Sequence, residues 1–329
     1  MNLELTQEQT MLRDTAREFA TREVAPRAKH LDEHGEWPAD LVKRLGELGL
    51  MGVAIPSEYG GSGFDHVSYA LAMEEISAAC ASVGVIMSVN NSLASDPIYK
   101  FGSDLQKKEF LTPMASGKML GCFGLTEPMS GSDAGTMATF AQKDGDHYIL
   151  NGSKNFITNG PHADLIVVFA MTTKNIGHKG ATAFIVPTKT PGFSASKPDE
   201  KLGIHAAHSC TVFFENCRIP AAYRLGGEGE GFKVAMATLD GGRIGIASQA
   251  LGIARAAFEA ALAYSRDRVQ FGKKLIEHAA IGNMLADMHT RINAARMLIL
   301  HAARMRSEGL PCLSEASQAK LYASELAEW

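Results

Sequence analysis

The chain has 329 residues, 46% of them hydrophobic and 21% charged, with a formal net charge of -4. That length allows two or three domains around a sizeable core, and no apolar run approaches the length that crosses a bilayer. The acidic balance argues against a protein that wraps nucleic acid, while leaving room for a small basic pocket for one phosphorylated ligand.

Helical spacing governs the first third. Thr6 and Gln9 are spaced as a capping box, after which Met11, Ala16, Phe19 and Ala20 mark an apolar face. Leu41, Leu45 and Leu48 follow, then an apolar stretch over 69–87, with Pro26, Gly35, Pro38 and the loop over 56–63 as punctuation. From about Met119 to Arg224 the period shortens. Runs over 165–170, 181–187 and 211–214 are short and rich in β-branched or aromatic residues, and Asp144-Gly145, Asn151-Gly152 and Asn159-Gly160 are turn signals. A β-barrel or sandwich is expected there. The glycine-rich link over 226–231 opens a second helical region, with Phe232, Ala235, Met236, Leu239, Ile246 and Leu251 as its apolar stripe. Helix, sheet, helix is an α+β pattern with divisions at 1–118, 119–227 and 228–329. It argues against a doubly wound parallel sheet, for which no glycine-rich phosphate-binding string stands between a strand and a helix.

Five cysteines, Cys80, Cys122, Cys210, Cys217 and Cys312, are scattered without a C-x-x-C pair, so neither a disulfide framework nor a structural zinc is expected. A reducing compartment fits, and with no basic-then-apolar signal at the N-terminus the cytoplasm is the expected location. Cys122 reads as a small hydrophobe rather than a nucleophile. The pairs His30/His34 and His205/His208 lack the glutamate pattern of a zinc protease, and no metal site is expected.

The most informative run is Phe123-Gly124-Leu125-Thr126-Glu127-Pro128-Met129-Ser130-Gly131-Ser132-Asp133-Ala134-Gly135, followed by Phe156-Ile157-Thr158-Asn159-Gly160. Small residues let backbone approach a planar ligand, Thr126, Ser130, Ser132 and Thr158 offer hydroxyls, and Phe123 and Phe156 offer apolar faces, a chemistry that suits a flavin ring. The same Glu-Pro-Met-Ser-Gly-Ser-Asp string also suits an ordinary surface turn. The order of the residues favours the first reading. The run resembles the flavin-binding signature of the acyl-CoA dehydrogenase family, and Asn151-Gly152-Ser153-Lys154-Asn155-Phe156-Ile157-Thr158 resembles that family's second flavin-contacting strand.

The resemblance covers the whole chain. It implies an N-terminal helical domain, a central β-domain and a C-terminal helical bundle that assembles a homotetramer or dimer of dimers. It also implies FAD, an acyl-CoA substrate converted to a trans-2-enoyl-CoA, and an electron-transferring flavoprotein as redox partner, with neither nucleic acid nor membrane involved. By resemblance Phe123, Leu125, Thr126 and Ser132 contact the flavin, Ser132 also lies near CoA, and Phe156, Ile157 and Thr158 cover the other side of the ring, Phe156 standing where many relatives have tryptophan. Asp240-Gly241-Gly242-Arg243 matches the CoA-contacting helix, through Asp240 and Arg243, its paired glycines being attributed to close ligand packing. Arg268-Val269-Gln270-Phe271-Gly272 resembles the motif by which one subunit reaches its neighbour's flavin diphosphate and adenine, through Arg268, Gln270 and Phe271. Lys201-Leu202-Gly203-Ile204 resembles the loop at the active-site mouth, with Ser209 near the CoA chain. Similarity is greatest to the short-chain, butyryl-type members, through residues 84–93 and 243–254.

Two departures stand out. Ala279 replaces a family glutamine that helps hold the cofactor. The chain also stops at Trp329 within a helical pattern, so the resemblance implies that a C-terminal part carrying the catalytic glutamate is missing. Gly242 occupies the alternative base position of some branched-chain relatives, Glu127 and Glu277 match no family base, and no catalytic residue is assigned. The rival readings are a non-catalytic fragment or homologue of the fold, and a flavin oxidase or monooxygenase of the same fold.

Overall fold

The computed structural model describes residues 4–329. The helices are α1 (Gln7–Phe19), α2 (Ala25–His34), α3 (Ala39–Glu47), α4 (His66–Ala79), α5 (Ala81–Ser88), α6 (Asp96–Phe101), α7 (Asp104–Gln106), α8 (Thr112–Ala115), α9 (Gly231–Asp267), α10 (Ala279–Ser307) and α11 (Leu313–Glu328). The strands are β1 (Gly121–Gly124), β2 (Phe140–Asp144), β3 (His147–Thr158), β4 (Leu165–Met171), β5 (Ala181–Pro187), β6 (Phe193–Ala195), β7 (Ser209–Pro220), β8 (Arg224–Leu225), β9 (Val269–Gln270) and β10 (Lys273–Lys274). Contacts regroup the three sequence stretches into two units. The first takes the chain up to Ala28, Asp65–Val85 and Arg243–Trp329; the second takes Lys29–Phe64 and Ile86–Gly242.

In the first unit, Thr6 caps α1 as the sequence indicates: its Oγ1 accepts the Gln9 N–H at 3.1 Å, and Gln9 Oε1 accepts the Thr6 N–H at 3.0 Å. The buried face of α1 runs through Leu12, Ala16 and Phe19, whereas Met11 is exposed. Met11 stands five residues before Ala16, about 140° round the helix, which corrects the expected stripe. The core of this unit is rich in alanine. On α10 Leu285, Ile292, Ala295, Ile299 and Ala302 recur in heptad-like steps, as do Ala316, Ala319, Ala323 and Leu326 on α11. Val67, Ala70 and Leu71 of α4 join the same cluster. Residues 67–77 of α4 are all buried, so this helix needs neighbours on every side, and α1 together with the C-terminal helices supplies them. That requirement is why the N-terminal stretch is divided between units.

The second unit is built on one eight-stranded sheet of order β6-β7-β3-β2-β4-β5-β8, with β1 parallel to β4. The expected barrel or sandwich takes the form of one hydrogen-bonded sheet folded on itself. β2 touches β4 only at Phe140↔Met171, and across that narrow join the two halves pack together. Tyr148, Leu150, Val212 and Phe214 of β3 and β7 share a core with Ile166, Val168 and Phe184 of β4 and β5. The alternate β4 residues Leu165, Val167, Phe169 and Met171 enter a second core with Ile98, Phe110 and Leu111 from the helical side. A strand buried on both faces reads as a continuous apolar run, as β4 does. Asp144-Gly145 forms the β2–β3 hairpin turn, but Asn151-Gly152 lies inside β3, opposite a bulge where Asn216 of β7 adopts φ 52°. There the Asn151 side chain accepts the Asn216 N–H at 2.8 Å, satisfying a donor that the bulge leaves off the ladder.

Candidate functional site

The first motif leaves the end of β1, and three buried amide contacts fix where it starts. Asn90 Oδ1 accepts the Gly121 N–H at 2.9 Å, Asn90 Nδ2 donates to the Met51 carbonyl at 2.9 Å, and Asn159 Nδ2 donates to the Gly121 carbonyl at 3.3 Å. Gly121 through Gly124 then run parallel to Leu165 through Val168. Gly124 is tightly surrounded: a Cβ there would lie 2.8 Å from Ile166 Cδ1 and 3.3 Å from Lys154 Cγ, so both side chains would have to give way.

The two motifs meet at Lys154, a residue with 0% exposure. Its ammonium donates to the Leu125 carbonyl at 3.1 Å and to Glu127 Oε1 at 2.7 Å, while the next residue's N–H, on Asn155, donates to the Thr126 carbonyl at 2.8 Å. Glu127 in turn accepts the N–H groups of Ala138 and Thr139 at the approach to β2. Burial lowers the Lys154 ammonium to about 8, against the opposing pull of Glu127. Burial alone would raise the Glu127 carboxyl, but the Lys154 charge and these hydrogen bonds hold it below its ordinary range. Glu127 is therefore a structural carboxylate. Strand parity is the sequence signal for Lys154: it lies on the same β3 face as Tyr148 and Leu150, both buried.

Just past Lys154 the strand bulges. The register slips between Lys154 and Ile157, and Phe156 is held at φ 60° with its ring 72% exposed. The slip reverses which side chains point inward. Ile157 enters the core beside Ala163 and Cys210, so only its main chain is available to a ligand. Leu125 is buried too, and Phe123 is half-buried, edge-on to Phe169 at 5.1 Å. Thr126 and Thr158 are half-buried and Ser132 is exposed. Among the described residues, none of these three hydroxyls makes a hydrogen bond, whereas Ser130, Thr136 and Thr139 are each bonded to a carbonyl. Free hydroxyls on two segments that are pinned together, beside an exposed aromatic in strained backbone, fit a planar cofactor with polar edges such as a flavin.

Asp240 and Arg243 lie three residues apart on α9, hence on neighbouring positions of one helix face, and both are half-buried. Of the two glycines between them, Gly242 lies close to Leu93: a Cβ there would stand 2.9 Å from Leu93 Cδ2, so the leucine side chain would have to shift. Arg268, Gln270 and Phe271 stand on an exposed hairpin of the first unit, where Gln270 pairs with Lys273 and the two turn residues, Phe271 and Gly272, have φ 50° and 77°. Phe271 is 95% exposed. Glu277 accepts the Lys274 N–H at 2.8 Å and so caps a short turn, and Ala279 begins α10 as an exposed residue.

One histidine cluster emerges only in three dimensions. His162 stacks on Trp37 with centroids 4.0 Å apart and bonds to His208 at 2.8 Å, and His208 Nε2 bonds to the Gly35 carbonyl at 2.8 Å. His205 bridges Asp32 and the Lys201 carbonyl. No group of three metal-ligating side chains occurs among the described residues, and no helix among them is long and apolar enough to cross a membrane. Within the first unit, a cleft of about 500 Å³ is lined by Arg17, Glu75, Arg255 and Glu259, whose charges pair with one another; it contains none of the cofactor- or substrate-binding residues expected from the sequence.

Comparison with known proteins gives the family of the chain. Residues 6–118, 122–217 and 229–329 match the N-terminal, middle and C-terminal domains of acyl-CoA dehydrogenases. The chain is 49% identical over 326 residues to the mitochondrial short-chain specific acyl-CoA dehydrogenase of Bos taurus, covering 99% of this chain and 79% of that protein. It superposes on butyryl-CoA dehydrogenase from Megasphaera elsdenii with a TM-score of 0.98 at 45% identity, covering 99% of this chain and 86% of that one. A chain from the structure described for the electron transferring flavoprotein of Acidaminococcus fermentans also gives a TM-score of 0.98, at 48% identity, with the same coverage. Three domain matches in order and near-half identity over almost every residue place the chain in the acyl-CoA dehydrogenase family.

Proposed function

We propose that this chain oxidises a short-chain acyl-CoA thioester to its trans-2-enoyl form with FAD and passes the electrons to an electron-transferring flavoprotein. The observation that carries the reading is the junction at Lys154, which brings the free hydroxyls of Thr126 and Thr158 and the exposed ring of Phe156 onto one pinned pair of segments. Similarity to short-chain and butyryl-specific enzymes supports the choice of substrate. The family is FAD-dependent.

In this reading Phe123, Leu125, Thr126 and Ser132 line one side of the flavin and Phe156, Ile157 and Thr158 the other, with Leu125 and Ile157 acting through their backbone. FAD supplies the acceptor for the hydride that leaves the substrate's β carbon. The protein's task is to hold the acyl chain flat against that acceptor in a dry site, since orientation and exclusion of water contribute much of the rate. Ser132, Asp240 and Arg243 hold the CoA portion; Arg243 suits an anionic group because its planar fork can donate two hydrogen bonds at once. Arg268, Gln270 and Phe271 reach the diphosphate and adenine of the FAD on a neighbouring copy of a homotetramer. Their exposure in the single chain supports that assignment.

The divisions at 118/119 and 227/228 are part of this proposal, as is a cytoplasmic location, which the five free thiols support. The chain spans 79–86% of the length of the relatives it matches. We assign no base among residues 4–329, because Glu127 and Glu277 are committed to structural hydrogen bonds.

The test is the visible spectrum of the purified, FAD-loaded protein. Bleaching of the flavin band by butyryl-CoA, with slow reoxidation in air, is the expected result. Failure to bind FAD at all, or rapid reoxidation by oxygen, overturns the dehydrogenase reading, and a stronger response to octanoyl- or isovaleryl-CoA overturns the short-chain assignment.

A further inference from the structure

We propose that Lys154 is a positioning residue of the flavin site, its single ammonium fixing the two residues that flank Thr126 and thereby the direction of the Thr126 hydroxyl. The inference rests on the assignment of Thr126 to the flavin and deepens it. Three consecutive residues of the first motif are held by two consecutive residues of the second: the Leu125 carbonyl by Lys154 Nζ, the Thr126 carbonyl by the Asn155 N–H, and the Glu127 carboxylate by Lys154 Nζ again. The element of this segment left free is the Thr126 hydroxyl, half-buried and without a hydrogen bond among the described residues.

Stability alone does not call for a charged pair at this place. A buried ion pair is commonly replaceable by apolar groups of similar volume without loss, because desolvating both charges cancels much of their attraction. What the pair does supply is direction. A lysine with three donors can take a carbonyl and a carboxylate together, and through Glu127 it also ties in the N–H groups of Ala138 and Thr139. Three pieces of chain, the end of β1, the approach to β2 and the bulge of β3, thus share one polar hub. The bulge that exposes Phe156 begins at the residue after Lys154, so the hub sets both walls of the cradle. The neighbours of Lys154 are Gly124 and Leu125 from β1 and the segment after it, Val212 from β7, and Glu127, which is the charged group facing it.

The double variant Lys154→Met/Glu127→Gln removes both charges together, so neither is left buried alone. It is expected to fold, with far-UV circular dichroism and melting temperature close to wild type. Its FAD dissociation constant is expected to rise about tenfold or more, and the resolved shoulders of the bound flavin spectrum to blur. A second measurement needs no variant: the wild type's FAD affinity is expected to fall severalfold as the pH rises through about 8, where the Lys154 ammonium titrates, since hydrogen bonds from a charged donor are roughly twice as strong as neutral ones. A flat pH profile, or a folded double variant with wild-type FAD affinity and spectrum, overturns the inference. Thr126→Val separates the two levels of the argument. If it weakens FAD binding while the double variant does not, the site stands and the role of Lys154 falls. If both bind FAD as the wild type does, the assignment of the site falls as well.

Discussion

Phe156 and Phe271 are both bulky aromatics in left-handed backbone, at φ 60° and 50°, with their rings largely exposed. Such a conformation costs a residue with a Cβ roughly 1–2 kcal/mol, which glycine escapes. Neither ring recovers that energy by burial within the chain, so a ligand or another copy is the natural beneficiary. Phe156→Gly should therefore stabilise the flavin-free protein, by about 0.5–1 kcal/mol once glycine's greater freedom in the unfolded chain is counted, while weakening FAD binding. Thermal melts with and without FAD check this; a drop in the melting temperature of the flavin-free variant would show that Phe156 is structural. His162 carries a second residue-scale prediction. Loss of hydration, then the neighbouring His208, lowers its imidazole to about 4. Between there and the ordinary value of about 6.5 the unfolded chain binds more protons than the native one. The contribution is complete above this window and fades as the pH falls through it. Wild-type melting temperature should thus decline more steeply than that of His162→Asn as pH falls across the window, and equal slopes would dismiss the effect. Little of this was legible in the sequence. Trp37, His162 and His208 are far apart along the chain, and the Glu-Pro of a turn-like string gave no sign that Glu127 would meet a lysine 27 residues later.

At the scale of elements, periodicity revealed which segments are helices and strands but less about their neighbours. β4 and β5 were legible because strands buried on both faces leave unbroken apolar runs. Asn151-Gly152 misled, since the dipeptide that usually makes a tight turn here lies opposite a bulge in the partner strand, a fact that only pairing with β7 decides. The acidic pair Glu74-Glu75 on α4 shows the same dependence on long-range partners. Each is about 5% exposed. Glu74 pairs with Arg255 of α9 and Arg296 of α10, and Glu75 with Arg255 and with Arg17 of α1, so four helices of the first unit meet through two carboxylates. Arg255 is the shared member, and breaking a buried pair from one side leaves charge uncompensated. Arg255→Met should cost about 3–5 kcal/mol, read as a lower urea midpoint at unchanged slope. A loss below about 1 kcal/mol would class the network with surface ion pairs.

For the molecule as a whole, local pattern fixes the order of helix, sheet and helix, but contacts assign the N-terminal stretch to both units because α4 is buried all round. The proposed site has the same long-range character, since Thr126 and Arg268 are far apart along the chain. If Arg268 serves the flavin of a neighbouring copy, a site is built from two chains, and two different defects can complement each other. Arg268→Ala and Thr126→Val should each lower FAD retention when purified alone. In a symmetric pair assembled at random from an equal mixture, half the pairs are hybrids, and each hybrid has one site with both residues intact and one with neither. Mixing after dissociation and reassembly should therefore restore about one quarter of the sites, measured as tightly bound flavin per chain. Recovery of that order is the signature of a shared site, because no single chain in the mixture carries both residues. If flavin content stays at the mean of the two separate variants, Arg268 acts within its own chain, and the exposure of the hairpin that carries it needs another explanation.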